Sequence, residues 1–168
     1  MESFMPSFAQ DLRRDQTLAR QRAWLRQDIP QIAELMAKLG VEYHSDLQYQ
    51  PDNARCIAWL NRSFNDSWHH FQVLRVAENI VAIAGLARSR VPGVDGHVHS
   101  IYVDPEFRGY GYGRKLTQGI ISYARSVQMS SLEMPLTTNR VARTLYESLG
   151  FELYDFEGEA HLALSLLD

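Results

Sequence analysis

Arg108 and Arg114 bracket three glycines placed at every second position, Gly109, Gly111 and Gly113. The run before them, 97–103, alternates and carries β-branched or aromatic residues at several positions, which predicts a strand. Asp104-Pro105 ends it, because proline has no N–H to give a ladder. Leu116, Ile120, Ile121 and Ala124 then recur at helical spacing, predicting a helix of about 111–127. Strand, glycine turn and helix together read as an anion site. First-turn N–H groups are unpaired, the helix dipole makes that end partly positive, and glycine lets a phosphate come close. A pyrophosphate is the expected occupant. From Gly109 the sixth position is Arg114, and from Gly111 it is Leu116, so the dinucleotide fingerprint G-x-G-x-x-G fails. Gly113 is followed by Arg114, so the G-K-[ST] of a P-loop fails too. A glycine-rich hairpin loop without a ligand is the plain alternative.

His97 and His99 stand two apart on the predicted strand, so both should point to one face, with Ile101 and Val103. An imidazole of reference pKa ~6.5 can take a proton from an ammonium near neutral pH. Two readings stay open: catalytic bases, or structural histidines hydrogen-bonded at the loop mouth. Glu133 on the adjacent strand is the next candidate base. His97, His99, Asp104 and Gly111 approximate a cupin metal motif. Against it, the carboxylate is Asp rather than Glu, Val91 stands where that motif needs glycine, and no Pro-Gly-His-Asn motif follows. No metal is expected, and His44, His69, His70 and His161 form no ligand spacing.

The elements that would position these residues follow in order. Residues 20–27 predict a first strand, and Asp28 an N-cap with Pro30 in the first turn of a helix that Gly40 ends. A second helix fits 52–65, and two strands fit 69–77 and 80–88. Beyond the 111–127 helix, 131–137 predicts a strand in which Pro135 implies an edge or a bulge. Asn139 should cap a helix that Gly150 closes, and 151–156 with 160–167 should form a last hairpin.

With 168 residues the chain fits a single domain, 1–168, with 1–18 as an N-terminal extension. A net charge of −3 offers nothing to attract nucleic acid, and no apolar run is long enough to span a membrane. Cys56 is alone, so a reducing compartment, the cytoplasm, is expected, with Cys56 a buried helix residue rather than a nucleophile. Oligomeric state stays open, a homodimer included.

The stretch Val103-Asp104-Pro105 with Arg108, Gly109, Gly111 and Gly113 resembles the acetyl-CoA signature R/Q-x-x-G-x-G/A of the GNAT superfamily of N-acetyltransferases. Asn139, Ala142, Tyr146, Gly150 and Phe151 resemble that superfamily's second motif. The resemblance implies an α/β fold with a mixed, mostly antiparallel sheet, splayed between the fourth and fifth strands, and helices on both faces. It implies acetyl-CoA as co-substrate in that split. Ile101, Tyr102 and Val103 would line the pantetheine, with a strand N–H near the acetyl oxygen. Residues Arg108, Gly109, Tyr110, Gly111, Tyr112, Gly113 and Arg114 would hold the pyrophosphate, and Asn139 and Ala142 the pantetheine arm. Tyr110 and Tyr112 depart from the family's usual basic and aliphatic residues. Tyr146 is given the role of donor to the departing thiolate. His-x-His is similar to the base pair of the arylalkylamine N-acetyltransferases. The implied function is transfer of acetyl to a primary amine of a small molecule or peptide by direct attack in a ternary complex. The alternative is a non-catalytic acyl-CoA-binding regulatory module on the same fold.

Overall fold

The computed structural model describes residues 19–44 and 50–167. The 1–18 extension lies outside the described residues. Seven strands form one sheet: β1 (Ala19–Ala23), β2 (His70–Val76), β3 (Asn79–Arg88), β4 (Gly96–Val103), β5 (Ser131–Pro135), β6 (Glu152–Phe156) and β7 (Glu159–Ser165). Their order is β1-β2-β3-β4-β5-β7-β6, and only the β4–β5 pair is parallel. That is the mixed, mostly antiparallel sheet expected. The helices are α1 (Ile29–Tyr43), α2 (Asn53–Ser63), α3 (Tyr112–Ser126) and α4 (Arg140–Ser148).

The helices cover both faces and define two cores. Ile29, Ile32 and Leu35 of α1 and Leu60 of α2 pack with Trp24, Phe71, Val73, Ile83 and Tyr102. Leu116, Ile120 and Ala124 of α3 and Tyr146 of α4 pack with Leu74, Ala84, Leu86, Val98, Leu132 and Met134 on the other side. Central β3 is buried on both faces along 80–86, and a strand so placed reads as one apolar run rather than an alternation.

Three boundaries differ from expectation. Helix α1 runs through Gly40, whose carbonyl accepts from His44 N–H at 3.0 Å. Glycine lowers helix propensity but does not end the helix, and the added turn, exposed over 41–43, brings Glu42 to Arg108. Strand β1 stops at Ala23, and a 3₁₀ turn, Arg26–Asp28, leads into α1. Asp28 makes no side-chain cap bond; its carboxylate grips Arg22 through both oxygens and accepts from Leu25 N–H at 2.7 Å. Pro135 is the last residue of β5, an interior strand, and falls where β4 has already parted from it.

Candidate active site

The sheet opens at one place. The β4–β5 ladder holds only Gly96 opposite Leu132 and His97 opposite Glu133. Beyond that vertex β5 stays paired to β7, and β4 to β3, so a cleft widens between β4 and β5. β4 carries a bulge there. Gly85 faces His99 and Ile83 faces Tyr102, leaving Ser100 and Ile101 opposite Ala84 alone, with Ser100 at φ +52°. A left-handed serine is a strained backbone position of the kind that re-aims side chains.

The bulge corrects the expected strand face. His97 and His99 lie ring by ring, centroids 5.9 Å apart, and His99 packs against Phe71 and Trp59 in the α1–α2 layer. Ile101 and Val103 pack in the opposite, α3 layer, because two residues in place of one reverse the alternation.

The two histidines also part in environment. Burial lowers the His99 pKa to about 3, with His97 and His69 adding to the effect. Its Nε2 is sealed from solvent with no partner among the described residues, while Nδ1 lies 2.9 Å from Ser100 Oγ. The ring stays neutral, and on the Nε2 side, where a base would act, it is closed to solvent. His97, with a third of its side chain exposed, places Nδ1 2.8 Å from Glu133 Oε1. His97 alone of the pair is placed to exchange a proton.

The glycine turn lies at the start of α3. Gly109 and Gly111 take φ of +86° and +79°, where a Cβ is disfavoured. Among the described residues no group engages the N–H of any residue from Gly109 to Arg114; the first helical bond runs from Lys115 N–H to Gly111 O. With no side chain capping it, this end offers free donors and the positive end of a dipole, which fits a pyrophosphate. The arginines do not both face it. Arg108 gives its guanidinium to Glu42 at 3.1 and 2.8 Å and its Nε–H to Val103 O at 2.8 Å. Arg114 bonds Ser148 Oγ at 2.7 Å. Tyr110 and Tyr112 stack 5.9 Å apart, with Tyr112 buried.

On α4, Asn139 caps through Oδ1, which accepts from Ala142 N–H at 3.1 Å, so its amide NH₂ stays available. Tyr146, two turns on, is 8% exposed, and burial pushes its phenol up to about 12. A phenol that stays protonated is a standing hydrogen-bond donor. Asp52 caps α2, and Glu42 is spent on Arg108. Cys56 is half-buried beside Met36, and burial raises its thiol pKa.

Two contributors escaped the sequence: His161 of β7 and Ser89 at the end of β3, both bonded to Glu133. One signal was available. A glutamate inside the apolar strand 131–135 is an expensive residue to bury unless it has partners.

The sequence pattern of the acetyltransferase (GNAT) family matches residues 29–151. Over 131 residues the chain is 34% identical to the N-alpha-acetyltransferase RimI of Mycobacterium tuberculosis, covering 77% of this chain and 76% of that protein. Its fold matches an N-acetyltransferase of Staphylococcus aureus Mu50, with a TM-score of 0.75 at 20% identity, over 89% of this chain and 99% of the other. It also matches yncA of Salmonella typhimurium, solved with its cofactor acetyl-CoA, with a TM-score of 0.73 at 19% identity over 90% and 95% of the two chains. The chain belongs to the GNAT family of acetyltransferases.

Proposed function

We propose that this acetyltransferase moves acetyl from acetyl-CoA directly onto the α-amine of a peptide or small molecule, with both substrates bound at once. The observation that carries the reading is the opening of the sheet at His97 and Glu133, with the uncommitted N–H groups of 109–114 at the start of α3. In this reading those N–H groups hold the pyrophosphate, the backbone of Ile101, Tyr102 and Val103 lines the pantetheine, and the free amide of Asn139, beside Ala142, meets its arm. The amine nitrogen bonds to the acetyl carbon as the carbon–sulfur bond breaks. His97 takes the amine's proton and Tyr146 donates to the departing sulfur.

The α-amine is favoured by the similarity to an N-alpha-acetyltransferase and by proton arithmetic. With a pKa of ~7.7–8.0, roughly a tenth of α-amines are unprotonated at pH 7, against fewer than about one in a thousand lysine-type amines. A single imidazole is an adequate base for the former. The lone Cys56 suits a reducing compartment such as the cytoplasm. The test is release of CoA thiol with a panel of amines: peptides with free and blocked N-termini, amino acids, polyamines, arylalkylamines and aminoglycosides. Peptides with a free N-terminus should turn over and blocked, lysine-containing ones should not. Turnover of polyamines alone would overturn the α-amine, and no thiol release with any amine would favour a binding module.

A further inference from the structure

A buried polar row crosses the sheet at the vertex of the cleft. Glu133 is 3% exposed, and β4, β7 and Ser89 just beyond β3 supply its partners. Oε1 accepts from Ser89 Oγ, beyond β3, at 2.9 Å and lies 2.8 Å from His97 Nδ1 of β4. Oε2 lies 3.1 Å from His161 Nδ1 of β7, whose Nε2 is 3.8 Å from the exposed Glu159 carboxylate. His97 and Glu133 are opposite residues of the parallel pair, and Pro135 pairs with His161, so the three side chains share one sheet face. His99 is the other titratable neighbour, stacked on His97 from the same strand. Burial works to raise the Glu133 pKa, but the bonds from His97, Ser89 and His161 outweigh it and hold the carboxyl below its usual range.

This geometry settles what Glu133 can do. Both oxygens are filled and neither faces solvent, so the carboxylate is badly placed to take a proton from an incoming amine. A carboxylate only accepts hydrogen bonds, so the ring nitrogen against it must carry the proton. The neutral His97 ring therefore holds its proton on Nδ1 and leaves a lone pair on Nε2, which has no partner among the described residues and is not sealed from solvent.

We infer that Glu133 is the positioning residue of this acetyltransferase, fixing the tautomer and direction of His97, and that His161 locks Glu133 in place from β7. The inference rests on the reading of His97 as base. When His97 gains the amine's proton, the adjacent carboxylate balances the new charge and keeps its own proton count unchanged. His161, by filling Oε2, keeps the carboxylate from rotating toward the acceptor. The arrangement is assembled from β4, β5 and β7, so it exists only in the folded sheet.

The test begins on the free full-length protein. Nitrogen NMR of the imidazoles should find neutral His97 and His161 as Nδ1–H tautomers, with His97 moving toward the Nε2–H form in Glu133→Gln. A wild-type His97 carrying its proton on Nε2 overturns the inference without reference to activity. The kinetic arm uses acetyl-CoA with a synthetic peptide bearing a free N-terminus. Glu133→Gln should lower kcat by at least roughly tenfold and at most by the roughly 10²–10⁴-fold that loss of a base costs, with KM for acetyl-CoA unchanged. In a His97→Gln background the same change should add little, since Glu133 acts through His97. An equal loss in both backgrounds overturns the inference. Full activity of His97→Gln itself sinks the underlying base assignment instead. Should Glu133→Gln fail to fold, His161→Gln and His161→Leu replace it. The first keeps an N–H for Oε2 and should retain most of kcat, the second should not, and equal rates in the two overturn the lock.

Discussion

Tyr146 and His97 approach the cleft from opposite layers, the phenol from the α3–α4 side and the imidazole from the α1–α2 side. In the proposed reaction a proton leaves the amine at His97 and a donor meets the sulfur at Tyr146, on opposite faces of the opened sheet. Burial alone raises the Tyr146 phenol to about 12, so it stays protonated at any working pH. Tyr146→Phe keeps the ring against Phe151 and removes only the donor. Its turnover should fall by roughly one to three orders of magnitude with acetyl-CoA affinity unchanged. Single-turnover kinetics decides this, and an unaltered chemical step would return Tyr146 to packing.

The elements around the cleft work through close approach. Gly111 is the N-cap of α3 in left-handed conformation, and a Cβ there would meet none of the described residues. Aspartate tolerates that conformation better than most residues, so Gly111→Asp should fold while placing a negative charge where the proposed reading sets the pyrophosphate. Calorimetry should find CoA binding lost, and undiminished binding would remove the turn from the site. On β3, Gly85 makes room for the bulged strand: its Cβ would lie 2.5 Å from His99 Cε1, a ring held between Phe71 and Trp59. Gly85→Ala should cost about 1–3 kcal/mol, the usual penalty of an overpacked core. Pairing it with His99→Ala should recover part of that loss in urea melts. Strict additivity of the two would mean that the ring is not what Gly85 accommodates.

At the scale of the molecule, the fold carries neutral imidazoles that an unfolded chain would protonate. His70 on β2 is buried and stacked 3.6 Å over Tyr123, and burial lowers its pKa to about 4; His99 lies at about 3. Above pH ~6.5 both states hold these rings neutral and they add no pH dependence. Below it the unfolded state binds protons that the folded state refuses, so stability falls as pH drops toward 4 for His70 and 3 for His99. Each ring contributes a slope of about 1.4 kcal/mol per pH unit. Urea melts at pH 7, 6 and 5 should show this decline, and His70→Gln should remove about half of the histidine slope. Identical slopes would mean that His70 is charged in the folded protein.

Spacing along the chain determined the glycine turn, the Asn139 cap and its distance to Tyr146, and the order of strands and helices. Each of these is local: a turn needs left-handed positions, a cap needs an acceptor ahead of a free N–H, and a helix repeats every 3.6 residues. The alternation of β4 was legible only as far as His99, since a two-for-one bulge leaves no mark in a run of β-branched and aromatic residues. Whether Arg108 faced the turn or Glu42 depended on where α1 ended, and α1 ran on past the glycine that should have stopped it. Which histidine could act was decided by the tertiary structure alone. His97 and His99 are equivalent in sequence, but the sheet set one against Glu133 at the vertex and pressed the other between Phe71 and Trp59. His161 joined them from 64 positions beyond His97, because antiparallel pairing with β5 brought it beside the same carboxylate. Protonation chemistry depends on burial and partners, and those exist only once distant strands share one sheet.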